Sequence, residues 1–219
     1  MLNKRLEILE IYPWVRKNTQ DTTNITLEER VAACTACALS RTRTQTVFGV
    51  GNLKATLMII GEAPGFYEDQ QGEPFVGRAG ALLTNMLKAF GLTRNDVYIA
   101  NILKCRPPNN RDPSKEEVAT CTPFLIEQIE KIQPKLLLAL GRIAAHYLLD
   151  TNLSLEKLRS TEHQYKPTNT PLYVTYHPAY LLRSPSEKRK AYMDWVMIMK
   201  AYKHSVKFSR VTFDNSLIL

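Results

Sequence analysis

Thr56-Leu57-Met58-Ile59-Ile60-Gly61-Glu62-Ala63-Pro64-Gly65 is the stretch on which the reading of this chain turns. Thr56–Ile60 is an apolar run of strand length, and it ends in a tight turn flanked by glycines. Outward from it the same pattern recurs at Val97–Asn101, Leu136–Leu140 and Leu172–Tyr176, each run closing on a polar or glycine-containing turn. Amphipathic segments of helix length fill the gaps: Ala79–Phe90, Ser114–Ile132, Arg142–Leu149 and Glu187–Tyr202. Such alternation predicts a layered α/β domain around a mostly parallel sheet of these four strands. Ser114 followed by Glu117 has the spacing of a capping box, and Gly91 reads as a helix stop.

In sheets of this kind ligands bind beyond the carboxyl ends of the strands. The informative residues fall there: Gly61–Gly65 after the first strand, Asn101 at the end of the second, Gly141 after the third, His177-Pro178 after the fourth. One pocket could collect them all.

The 219 residues and 44% hydrophobic content suffice for one large domain with a real core. Residues 31–203 carry the pattern. The first thirty, with a short helix expected over Lys4–Ile11, read as an accessory arm, and 204–219 as a tail. The net charge of +8 and a pI near 9.3 favour an acidic partner, because a basic surface attracts polyanions. No run approaches the roughly 18 apolar residues of a membrane span, and Met1 to Leu6 lacks a signal-peptide core. The expected compartment is therefore the cytoplasm, with the protein acting as a monomer.

In that reducing setting the four cysteines suit metal ligation better than disulfides. Cys34-Thr35-Ala36-Cys37 is a C-x-x-C pair that can grip one centre from a single turn, while Cys105 and Cys121 must be brought in by folding. Buried apolar cysteines are the bland alternative. Spacing alone leaves zinc and an iron–sulfur cluster equally open.

The Gly61–Gly65 turn lacks the G-x-x-x-x-G-K-[ST] pattern of a phosphate-binding loop, so an ATPase has no support. Phe75, in Pro74-Phe75-Val76-Gly77-Arg78-Ala79-Gly80, can stack on a planar base or simply pack in the core. Asn101 can offer a heterocycle one donor and one acceptor, or cap a turn. His177 can stabilise negative charge on a departing base, or be a structural histidine. Leu181-Leu182-Arg183 places an apolar wedge beside a cation, a combination suited to DNA from which a base is pushed out.

Together these segments resemble the family 4 uracil-DNA glycosylases, the iron–sulfur type, from about Ala32 to Tyr202. The motifs are C-T-A-C at Cys34, G-E-A-P-G at Gly61, P-F-V-G-R-A-G at Pro74, N-I-L-K-C-R-P-P at Asn101, Cys121, and H-P-A-Y-L-L-R at His177. The resemblance implies a three-layer α/β/α sandwich with a central, mostly parallel four-stranded sheet, and a [4Fe-4S] cluster on Cys34, Cys37, Cys105 and Cys121. It implies uracil binding by Glu62, Ala63, Pro64, Phe75, Asn101 and His177, catalysis involving His177, and uracil-containing DNA as the partner, contacted by Leu181, Leu182 and Arg183.

In the wider superfamily the position of Ala63 can hold an aspartate that orients the attacking water. A methyl group stands here, which leaves Glu62 and Glu68 as candidates for that role. Two rivals share the cysteines and the charge: a non-catalytic nucleic-acid-binding iron–sulfur module, and a zinc-stapled hydrolase acting on nucleotides. The first does not account for the Gly61 turn, Asn101 and His177 all lying at strand ends; metal analysis and a substrate comparison separate the second.

Overall fold

The computed structural model describes residues 25–214, with side chains through Val206. The helix expected over Lys4–Ile11 lies outside the described residues.

In chain order the elements are α1 (Leu27–Ala32), β1 (Val50–Gly51), β2 (Leu57–Gly61), α2 (Phe66–Gln71), α3 (Arg78–Ala89), β3 (Tyr98–Asn101), α4 (Lys115–Ile132), β4 (Leu136–Leu140), α5 (Arg142–Leu149), α6 (Leu155–Leu158), β5 (His163–Tyr165), β6 (Thr170–Thr175), α7 (Pro178–Arg183) and α8 (Lys188–Asp214). The strands form one sheet in the order β1-β3-β2-β4-β6-β5. Neighbouring pairs among β3, β2, β4 and β6 are parallel, and these are the four expected strands. The sheet is nevertheless six-stranded, because β1 and β5 add short antiparallel edges. Two and three residues are too few to show a periodic pattern, which is why the four-stranded expectation fell short.

The pleat sends alternate residues of each strand to opposite faces. Met58, Ile60, Tyr98, Ala100, Leu137 and Ala139 pack with Val118, Leu125 and Ile129 of α4 and Ala144, Ala145 and Leu148 of α5. Leu57, Ile59, Ile99, Leu136 and Leu138 pack on the other face with Leu83 and Leu87 of α3 and Trp195, Ile198 and Met199 of α8. Helices on both faces make the three-layer α/β/α sandwich.

Local signals set the ends of the helices. Ser114 caps α4 in a full capping box with Glu117, and Phe90 caps the end of α3 before Gly91, whose φ of 76° suits a helix stop. Helix α1 crosses the boundary between the expected arm and the domain, burying Leu27 and Val31 and pairing Arg30 with Glu127 of α4. Helix α8 starts at the expected place and continues to Asp214. Among the described residues no helix is long and apolar enough to cross a membrane.

For the site, the decisive feature is register. Gly61 is paired with Asn101 across β2 and β3, so the turn after one strand opens beside the last residue of its neighbour.

Candidate active site

Phe75, Asn101 and His177 come together at these strand ends. A β-carbon on Gly61 would stand 2.3 Å from Asn101 Oδ1 and 2.8 Å from Phe75 Cζ. The glycine is what lets the amide and the ring approach the same point. The Phe75 and His177 ring centroids are 5.6 Å apart, inclined at 34°. Gly141 gives His177 similar room: its φ is 88°, and a β-carbon there would meet His177 Cβ at 2.9 Å.

Phe75 has a φ of 56°, in the left-handed region that non-glycine residues seldom occupy and that costs roughly 1–3 kcal/mol. Its neighbours hold it there. Arg94 donates to the carbonyls of Pro74 and Phe75 at 2.7 and 3.2 Å. Gly80 lets the carbonyl of Phe75 sit where any β-carbon would be 1.7 Å away. Glu68 Oε1 accepts from the amides of Val76 and Gly77 at 3.1 and 3.3 Å. Backbone strain maintained from three directions marks a ring whose placement matters.

Asn101 is buried, and its Oδ1 has no hydrogen-bond partner among the described residues. An unpaired buried acceptor costs about 1–3 kcal/mol, so this amide is set for something other than the protein. Its main-chain carbonyl, by contrast, accepts from Lys104 Nζ at 2.7 Å. The same ammonium donates to Gln128 Oε1 at 2.6 Å.

His177 caps α7, its Nδ1 accepting from the Ala179 amide at 3.1 Å. An accepting Nδ1 in a neutral ring assigns the proton to Nε2. Enclosure by protein, and secondarily the charge of Arg183, bring its pKa down to about 4. At neutral pH the ring is thus uncharged and offers one N–H donor.

Glu62 follows Gly61. Burial, reinforced by Asp112 and opposed by Arg142, pushes its carboxyl up to about 7, a value poised for proton handling near neutrality. Of the two carboxylate candidates, Glu68 spends one oxygen on the Val76 and Gly77 amides, so its place is under the Phe75 turn. Ala63 packs against the core and Pro64 is buried, shaping the floor of the turn. Neighbouring Asp69, 2% exposed, takes the Thr44 amide on both oxygens at 2.9 and 3.1 Å and ties α2 to the loop before β1.

All four cysteines line one narrow cavity, with Val31, Arg43 and Phe124. Arg43 Nη1 donates to Cys105 Sγ at 3.1 Å and the Lys104 amide to Cys121 Sγ at 3.2 Å. Burial raises the Cys121 thiol to about 12 and pushes the Cys105 thiol up as well, whereas a bound metal centre would deprotonate coordinating thiols outright. Four thiols facing one space, with N–H groups aimed at the sulfurs, fit an iron–sulfur cluster and the fine control such hydrogen bonds exert on it. Among the described residues no three His, Cys, Asp or Glu side chains stand ready to hold a single metal ion.

The expected wedge is only partly available. Leu181 is 1% exposed and packs against Tyr176 and Ala191 as a core residue. It sits in the middle of the short helix α7, which is not recognisable in the sequence, and its side chain faces inward. Leu182 is partly exposed and Arg183 exposed. Sequence reading passed over Lys104, Arg94, Arg43 and Gly80 as functional supports. Lys104 had a signal, standing between Asn101 and Cys105 inside a quoted motif; Arg94 and Arg43 had none.

Residues 48–197 match the family model described as uracil DNA glycosylase superfamily. Among curated proteins, the chain is 47% identical over 163 residues to the type-4 uracil-DNA glycosylase of Thermotoga maritima, covering 74% of this chain and 84% of that one. It is 44% identical over 174 residues to the type-4 uracil-DNA glycosylase of Archaeoglobus fulgidus, covering 77% and 87%. With the protein of the same name from Saccharolobus solfataricus it shares 39% over 198 residues, covering 87% and 90%.

Proposed function

The chain belongs to the uracil-DNA glycosylase superfamily, and from that premise we propose that it hydrolyses the N-glycosidic bond of deoxyuridine in DNA, releasing uracil and leaving an abasic site. It works in base-excision repair as a cytoplasmic monomer, on single- or double-stranded uracil-containing DNA.

The observation that carries this reading is the unpartnered Oδ1 of buried Asn101 beside the strained ring of Phe75. Uracil presents an N3–H donor between two carbonyl acceptors, whereas cytosine presents an acceptor at N3. An amide oxygen without a partner accepts from the first and repels the second, and its own N–H₂ can serve the adjacent carbonyl. A uracil flipped out of the stack would lie on Phe75, above the turn formed by Glu62, Ala63 and Pro64.

Cleavage sends the glycosidic electron pair onto the base and leaves positive character on the sugar. Neutral His177, with its proton on Nε2, donates to a uracil carbonyl where negative charge gathers. Such a donor stabilises the departing anion more than the bound base, which is what accelerates the step. A water then bonds to the sugar carbon, its proton passing to the Glu62 carboxylate, and the uracil anion takes a proton from solvent.

Cys34, Cys37, Cys105 and Cys121 would hold a [4Fe-4S] cluster. That group supplies a covalent staple between the chain before β1, the loop after β3 and α4, and hydrolysis needs no electrons from it. Leu182 and Arg183 meet the DNA beside the pocket.

The test is incubation with an oligonucleotide carrying one uracil, followed by alkali. Strand breakage at that position, and none in the cytosine-containing control, is expected; an intact uracil strand refutes the reading. Iron and acid-labile sulfide content together with visible absorbance test the cluster, and a colourless yet fully stable protein would refute it.

A further inference from the structure

Helix α2 begins directly after the Gly61–Gly65 turn and places two large aromatic rings in solvent: Phe66 is 50% exposed and Tyr67 57%. A single exposed aromatic needs no explanation. These two are in contact with each other, centroids 5.4 Å apart and planes at 81°, and so form a two-walled notch. The Arg106 guanidinium lies over Phe66 with Cζ 5.1 Å from the ring centroid. Its Nε donates to Asn110 Oδ1 at 2.8 Å, which fixes the cation in place.

The position of the notch is informative. Tyr67 runs along Gly77, its Cδ2 3.3 Å from where a β-carbon would stand. Gly77 lies two residues beyond Phe75, and Arg106 directly follows Cys105. The three side chains therefore bridge the loop that carries the Phe75 ring and the loop that leaves the cysteine cavity, at the rim of the site.

We propose that Phe66, Tyr67 and Arg106 form a stacking shelf for an unpaired base next to the flipped deoxyuridine on the same strand. The inference rests on the glycosylase reading and adds a subsite to it. Aromatic faces take any base without regard to its sequence, and an arginine combines a plane that stacks with a charge that meets phosphate. A net charge of +8 suits the same occupant. Because the rings are exposed, their removal leaves the core untouched.

The experiment uses the full chain and a single-stranded oligonucleotide with 2-aminopurine beside 2′-fluoro-deoxyuridine, which resists cleavage. Stacking on the shelf should change the 2-aminopurine fluorescence on binding. Phe66→Ala with Tyr67→Ala should abolish that change and raise Kd by about tenfold or more. On cleavable DNA it should raise KM more than it lowers kcat. Phe66→Tyr should restore binding, and Phe66→Leu, apolar but not aromatic, should not. Wild-type fluorescence and Kd in the double variant, or full rescue by leucine, overturns the shelf. Failure of the wild-type chain to release uracil would instead sink the glycosylase reading itself.

Discussion

Lys104 Nζ donates to the main-chain carbonyl of Asn101 at 2.7 Å, while the amide of the same lysine donates to Cys121 Sγ at 3.2 Å. One buried residue thus joins the cysteine cavity to the residue whose amide is proposed to read the base. Gln128 extends the connection, accepting from Lys104 and donating to the carbonyl of Phe48 at 2.9 Å. Lys104→Met keeps the length of the side chain but leaves two buried acceptors unpaired. It should lower stability by about 3 kcal/mol and slow single-turnover uracil release by roughly ten- to a hundredfold through misplacement of Asn101. Urea denaturation and rapid-quench assays check the two effects, and a variant equal to wild type in both would remove Lys104 from this role.

Asn101→Ala deletes the amide proposed to read the base and leaves the lysine's acceptor, a main-chain carbonyl, in place. Uracil release should fall on the order of a hundredfold or more, since a site built to hydrogen-bond its substrate loses most when that bond is gone. The visible absorbance of the protein should be unchanged. Release at the wild-type rate would take Asn101 out of the site.

Gly61→Ala makes the complementary change by adding an atom where the amide and the ring converge. Its β-carbon would fall 2.3 Å from Asn101 Oδ1, and β2 is paired on both sides and cannot yield. Overpacking of this kind costs about 1–3 kcal/mol, and displacement of Asn101 and Phe75 should bring activity down by about a hundredfold. Denaturation and release assays on purified variant separate the two costs.

Much of this was legible in the chain. The four parallel strands announced themselves because each is an apolar run ended by a turn, and their carboxyl ends brought Gly61, Asn101, Gly141 and His177 to one place. The edge strands at Val50–Gly51 and His163–Tyr165 were not legible, since their pairing is decided by neighbours far away in sequence. The burial of Leu181 was hidden for a related reason: whether a leucine beside a cation faces solvent depends on how α7 docks, and no local pattern gives that. The left-handed Phe75 was equally hidden, because it is imposed by Arg94, Glu68 and Gly80 against the preference of the residue itself.

Acidity should affect activity and stability in different ways. Glu62, raised from 4.5 to about 7, must be ionised to accept a proton, so kcat/KM should climb with pH through about 7, and Glu62→Gln should remove that limb. His177, lowered from 6.5 to about 4, stays neutral across the same range and adds no limb there. For stability the signs oppose. The native state holds the Glu62 proton between about 4.5 and 7, so that contribution is lost as pH rises through this window. The unfolded state holds the His177 proton between about 4 and 6.5, so that contribution is lost as pH falls through it. The two offset where they overlap, and pH-rate profiles of wild type and Glu62→Gln carry the test.

A buried anchor stands behind His177. Asp194 of α8 is 1% exposed and accepts from Arg159 Nε at 2.8 Å, Arg159 Nη2 at 3.0 Å, Ser160 Oγ at 3.1 Å and Thr175 Oγ1 at 2.7 Å. Arg159 in turn donates to Tyr176 Oη at 3.0 Å and lies over its ring. Thr175 and Tyr176 immediately precede His177, so this network sets where the end of β6 points. Asp194→Ala leaves a buried guanidinium with only the exposed Glu156 carboxylate, 3.8 Å away, and should cost about 3 kcal/mol, whereas replacing the pair together, Arg159→Met with Asp194→Leu, should cost less than the single change. Uracil release should stay depressed in both, because stability regained from apolar packing does not restore the bonds to Thr175 and Tyr176. Thermal denaturation and release assays on the two variants distinguish this from a purely structural ion pair, for which activity would recover along with stability.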